Sequence, residues 1–305
     1  MNICYAYRKS TWYPHQGTRN DLPPKEIRAS YLKKVKEIGF GGFEFPRALP
    51  DGQEINEQNA KAFRQELEDA GLSCLAIRGG GGMSHPRVAA TNKARLESCV
   101  RFAAWMGAPV VNSTTGGIPP RDPQGPGSSN TGEPTSQGSS REASPGAYHH
   151  TAQGFAQVAD IAADLGVALS IEVHQHSISD NSWSILHLLD LIDRPNVGVN
   201  PDLGNIYWTY ENPEETCEDA INALASRTNY WHCKNLVRVH YPQLHQALFL
   251  QVPLTEGDID YRYAVSAMKK AGYDGSIAVE GRRLGDQILG DEKSASYMKA
   301  LWDEA

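Results

Sequence analysis

Eight times along the 305-residue chain a short apolar run gives way to an amphipathic segment, and four of those segments stop at a glycine (Gly39, Gly71, Gly107, Gly166). The apolar runs are MNICYAY, GGFEF, LSCLAIR, APVVNS, Val167–Ile171, NVGVNPD, TNYWHCKN and SIAVEG. Their length and β-branched content read as buried strands, and parallel strands covered on both faces carry such continuous apolar runs. Between them, helical spacing recurs. Ile27, Tyr31 and Val35 stripe a helix over Lys25 to Ile38, and Ala60, Phe63, Leu67 and Ala70 stripe the next. Later helices are expected over Trp183 to Ile192, from a cap at Asn212 through Leu224 with Pro213 in its first turn and Glu214 and Glu215 as acids matched to its dipole, over Asp260 to Lys270, and over Lys293 to Trp302. Eight βα units in a chain of this length predict one (β/α)8 TIM barrel over residues 1–305, whereas a doubly wound sheet would need fewer units or a second domain.

The alternation breaks once. Residues 116–147, after the fourth strand, are dominated by Gly, Pro, Ser and Thr without apolar periodicity, which predicts a long inserted loop serving as a lid, an interface or a passive insertion.

A net charge of −7 with scattered basic residues does not favour a nucleic-acid partner. The absence of an 18-residue apolar run or a basic, signal-like start argues against membrane insertion or export. Five cysteines without a CxxC pair fit a reducing compartment, so a cytoplasmic location is expected.

The stretch GVALSIEVHQH concentrates the chemistry. A carboxylate ending a buried strand must be paired, protonated or metal-bound, so Glu172 needs partners. In a barrel of this kind the C-terminal strand ends share one mouth. Asp202 closes the sixth strand, His232 the seventh and Glu280 the eighth. One such residue alone is usually a helix cap or an ion-pair partner; four at equivalent positions point to a shared divalent cation, which relieves their mutual repulsion. The oxygen-rich donor set suits Mn²⁺ first, with Mg²⁺, Co²⁺ or Zn²⁺ as alternatives.

With these residues the chain resembles the xylose isomerase-like barrel superfamily, the branch with ketose 3-epimerases, hydroxypyruvate isomerases and inosose dehydratases. The resemblance implies one divalent metal on Glu172, Asp202, His232 and Glu280, with Glu172 and Glu280 also serving as acid and base. It implies a small carbohydrate substrate and places a substrate-binding arginine at Arg238, six residues beyond the metal histidine. A homo-oligomer is compatible with it. A metal held there would stabilise the enediolate formed when an α-hydroxy carbonyl compound loses a proton, the first step shared by isomerisation, epimerisation and β-elimination.

Two departures narrow the expectation. Asn205 stands where many members carry a histidine three residues after the metal aspartate, which weakens an endonuclease reading. Ile178 stands where ketose 3-epimerases carry an acidic substrate contact. His174 is instead a candidate catalytic or substrate-binding group, and His176 a structural one. Lys234, Glu44 and Arg78, at or near strand ends, are further candidates for substrate contact. Tyr7 and Trp12 are candidates for an apolar wall, and His149 and His150 for groups that swing over the site. Three functions stay open: a metal-dependent sugar isomerase or epimerase, a lyase or dehydratase acting on a keto-sugar or oxidised glycoside, and a non-catalytic sugar-binding barrel.

Overall fold

The computed structural model describes residues 1–7, 23–84, 86–116, 139–208, 214–244, 246–281 and 286–305. Strands β1 (Ile3–Ala6), β2 (Gly42–Pro46), β3 (Ser73–Arg78), β4 (Val110–Ser113), β5 (Ala168–Glu172), β6 (Val197–Asn200) and β7 (Trp231–Cys233) are followed by a hairpin, β8 (Asn235–Tyr241) and β9 (Gln246–Val252), and then by β10 (Ile277–Val279). The eight strands other than the hairpin form one parallel sheet in the order β6-β5-β4-β3-β2-β1-β10-β7, the order of a TIM barrel. Its seam lies between β6 and β7. A bridge from Val199 to Thr228 closes part of it, and the Asn200 side chain accepts the His232 backbone N–H at 2.6 Å. A side chain thus completes the hydrogen bonding that a longer β7 would have supplied.

Helices α1 (Lys25–Glu37), α2 (Glu57–Asp69), α3 (Pro86–Met106), α4 (Pro145–Asp164), α5 (Ser182–Ile192), α6 (Leu203–Tyr207), α7 (Cys217–Leu224), α8 (Tyr261–Lys270) and α9 (Gln287–Glu304) lie between and after the strands. Among the described residues, no helix is long and apolar enough to cross a membrane.

Strand alternation divides the core in two. Outward residues such as Tyr5, Phe43, Ile77, Val111, Ile171, Val199, Trp231 and Val279 join the large cluster beneath the helices. The inward set is small: Cys4, Ala6, Ala76, Val110 and Ala278 pack with Leu75 around Tyr230. Moving two residues along a strand stays on the inward face, so Ala76 is followed by Arg78, Val110 by Asn112, Tyr230 by His232 and Ala278 by Glu280. The interior is therefore apolar near the base and charged at the mouth.

Several local expectations need correction. The helix expected from Asn212 begins at Cys217, capped by the Thr216 hydroxyl, which accepts the Asp219 N–H; Asn212 and Pro213 lie outside the described residues. Glu214 and Glu215 cap another helix instead. Glu215 accepts the Ser182 N–H at 2.6 Å and Glu214 accepts from the Asn181 amide at 3.1 Å, so both acids serve the α5 N-terminus. The final helix starts at Gln287 rather than Lys293, on a cap from Asp286. The loop expected over 116–147 ends earlier, since residues 140–142 form a 3-10 turn and Pro145 begins α4; residues 117–138 lie outside the described set, as does Trp12. His149 and His150 are exposed residues inside α4, fixed by its backbone hydrogen bonds rather than poised to swing. Tyr7 is buried against Tyr31, Phe43 and Phe45 and belongs to the core, not to a pocket wall.

Candidate metal centre

Glu172, Asp202 and His232 come together as the strand ends require. One ligand atom from each lies within 4.8 Å of the others, and all three are buried. His232 is the centre of the arrangement. Its Nδ1 lies 3.5 Å from Glu172 Oε1, 3.8 Å from Glu280 Oε1 and 3.9 Å from Asp202 Oδ2, and makes no hydrogen bond. A buried ring nitrogen facing three carboxylates without bonding any of them is an unsatisfied polar atom that calls for a cation. Neighbouring ligands on one divalent ion, with bonds of about 2.0–2.3 Å, stand roughly 3–4 Å apart, so the spacing fits.

The other face of the ring is fixed. His232 Nε2 lies 2.6 Å from Glu44 Oε2, which also accepts the Tyr230 hydroxyl at 3.2 Å. Arg78 Nε donates to the second Glu44 oxygen at 3.2 Å, and an Arg78 Nη to the Tyr7 carbonyl. Glu44 is fully buried, and these contacts turn it onto His232. A carboxylate accepting Nε2–H selects the tautomer that leaves the Nδ1 lone pair for a metal.

Lys234 follows on the same inward face. Its Nζ donates to Asn205 Oδ1 at 2.6 Å, Asp202 Oδ2 at 2.8 Å and Glu280 Oε2 at 3.2 Å. Asn205, on the one-turn helix α6, also donates its amide to Glu172 Oε1 and to the Val173 carbonyl, both at 2.9 Å. Its two ends thus hold a cation and an anion of the same site. Gly204 beside it carries no side chain because a Cβ there would stand 2.3 Å from Lys234 Cγ.

The electrostatics follow the contacts. Burial disfavours charge on the His232 imidazole, but Glu44 and Glu172 outweigh it and raise the ring to about 9. Burial works to raise the Glu172 carboxyl, while His232, His174 and Lys234 hold it well below the usual range. Asp202 is pushed up, first by burial, against the pull of Lys234. Burial keeps Tyr230 a phenol at any working pH, so it remains a donor to Glu44.

His174 and Arg238 occupy the rim. After β5 the chain turns sharply through His176, in the left-handed region at φ 61°, and Ser177 donates to the His174 carbonyl at 2.7 Å. His174 Nδ1 is 2.9 Å from the Gln175 carbonyl, which makes Nδ1 the donor and leaves Nε2 as the basic nitrogen. Arg238 lies on the hairpin, half-buried, opposite Phe249, with its backbone N–H on Asp258. Ile178 is fully buried in the core.

Three residues were missed from sequence. Asn112 donates to Glu172 Oε2 and accepts from Asn200, and Asn200 holds the His232 backbone. The signal was the one that revealed Glu172: a polar residue ending an apolar strand, in VVNS and in VGVN. Tyr230, two residues before His232 on the inward face, was the third.

A profile described as the xylose isomerase-like TIM barrel matches residues 32–301. The chain belongs to this family. Among solved structures, a xylose isomerase-like TIM barrel protein from Mycobacterium smegmatis, in complex with magnesium, is 20% identical with a TM-score of 0.74, the match covering 94% of this chain and 92% of that one. An L-ribulose 3-epimerase is 14% identical at a TM-score of 0.72, covering 99% and 95%. A probable 3-DHS dehydratase from Bacillus anthracis is 14% identical at 0.68, covering 98% and 99%. These likenesses show the fold. An uncharacterised protein of Methanocaldococcus jannaschii is 23% identical over 150 residues, 48% of each chain, so the match spans about half the length of that relative.

Proposed function

We propose that this family member is a divalent-metal-dependent sugar isomerase or epimerase. The observation that carries the reading is His232 Nδ1, buried, unbonded and ringed by three carboxylates. Glu172, Asp202, His232 and Glu280 would hold the ion. When bound, a divalent cation supplies electrostatic stabilisation of the negative charge that develops on a substrate carbonyl oxygen.

The remaining work falls to the side chains. Glu172, held as a carboxylate, removes the proton from the carbon next to the carbonyl, and Glu280, entering the cycle as the protonated acid, returns one to the opposite face of the enediolate in epimerisation or to its neighbouring carbon in isomerisation. Asn112 and Asn205 grip the two Glu172 oxygens and orient the base. Lys234 balances the charge of Glu280 and Asp202 and holds both in place, its three N–H groups committed to them and to Asn205. The structure of the same fold named as an L-ribulose 3-epimerase supports a carbohydrate substrate. Manganese is the metal we expect, and the cytoplasm the compartment.

A second reading is a lyase that eliminates a group β to the carbonyl. His174 favours it, because a rim imidazole fixed through its Nδ1–H leaves Nε2 to take up a proton and then pass it to a leaving group. Keto-sugars incubated with metal-loaded protein in D2O separate the two. Deuterium uptake at the carbon next to the carbonyl with no leaving group lost supports the isomerase or epimerase; elimination products overturn it in favour of the lyase.

A further inference from the structure

The hairpin β8–β9 has two unlike faces. Leu248 and Leu250 point away from the barrel and are exposed, whereas Gln251 and Phe249 point toward the site. Gln251 donates to the Glu280 carbonyl at 2.8 Å, and Phe249 packs on Trp208 with ring centroids 5.8 Å apart and planes tilted by 38°. Trp208 follows α6, directly after the segment that supplies Asp202 and Asn205. Its ring centre lies 5.9 Å from Lys234 Nζ, and that ammonium bonds both Asp202 and Glu280.

We propose that Trp208 and Phe249 form a stacking wall that selects ring-form hexose derivatives over short open-chain ones, an inference resting on the carbohydrate reading above. Both aromatics remain partly exposed although each packs on the other, so an apolar face is left at the mouth. A ketose of three carbons presents too little apolar face to cover the two rings, whereas a hexopyranose oxidised at one carbon would set its C–H face against them while its ketone met the cluster. Arg238 on β8 pairs with Phe249 on β9 and so stands on the same face of the hairpin. The hairpin base is anchored. Asn235 ties the hairpin base to the Leu254 and Ile259 carbonyls, and Asp258 accepts both the Arg238 N–H and the Tyr207 hydroxyl.

The test measures binding by isothermal titration, with and without added Mn²⁺, of methyl 3-keto-glucopyranoside and of dihydroxyacetone to the full chain and to Trp208→Leu and Trp208→Phe. The wall predicts that the unaltered protein prefers the glycoside, that Trp208→Leu weakens it about tenfold, and that Trp208→Phe restores most of the loss. Dihydroxyacetone binding and metal uptake should change less than about twofold in both variants. Equal weakening of both ligands, no weakening, or no binding of the glycoside by the unaltered protein overturns the proposal. Failure of the protein to take up metal would sink the proposed function instead, and the metal-free titration still reads the wall.

Discussion

His232 is held from two sides by opposite means: its Nε2 lies 2.6 Å from Glu44 Oε2, while its Nδ1 faces Glu172, Asp202 and Glu280 without bonding any of them. Glu44 therefore orients the imidazole and raises its basicity as a ligand. Glu44→Gln keeps the volume but removes the charge. Metal affinity should fall roughly 10- to 100-fold by competition with a chelating dye, with the fold intact by circular dichroism.

The same pair sets a pH dependence. The folded ring is raised to about 9, above its unfolded value, so in metal-free protein it contributes stability that is fully present below about pH 6.5 and is lost as pH rises through 9. Metal must displace that proton. Titrations in buffers of different ionisation enthalpy should show close to one proton released per ion at pH 7.5, and affinity should climb with pH until about 9.

The four candidate ligands stood out because a titratable residue at or just past the end of an apolar strand is an anomaly that needs an explanation; Asp202, two residues beyond β6, is the N-cap of α6. Asn112 and Asn200 occupy inward positions but carry no charge, so at a strand end they pass for ordinary turn residues. The hairpin was not legible either. Asn235 follows β7 with a single residue between, and its connection, Pro242–Leu244, carries no Asn-Gly or Gly-Gly signal. Glu214 and Glu215 misled because acids near a helix start usually serve that helix; only tertiary packing brings them to α5.

Gly204 tests whether the Lys234 position matters. Gly204→Ala places a Cβ 2.3 Å from Lys234 Cγ, so the lysine stem must move. Overpacking of this kind costs about 1–3 kcal/mol. Thermal melts should show that loss, and kcat on the best keto-sugar should drop with it; an unchanged kcat would mean that the ammonium is dispensable.

His174 separates the two chemistries. Under the isomerase or epimerase reading, His174→Asn should leave solvent deuterium exchange within about threefold of the unaltered protein, since the acid and base are Glu172 and Glu280. Under the lyase reading, product release from a keto-glycoside should fall by about 10²-fold or more in the same variant.

Metal content tests the central claim most directly. Purified chain, stripped with chelator and dialysed against Mn²⁺ and then against metal-free buffer, should retain one divalent ion by elemental analysis. Asp202→Asn and His232→Gln should each lose most of it while remaining folded. No retained ion in the unaltered chain, or the same content in both variants, would contradict the account.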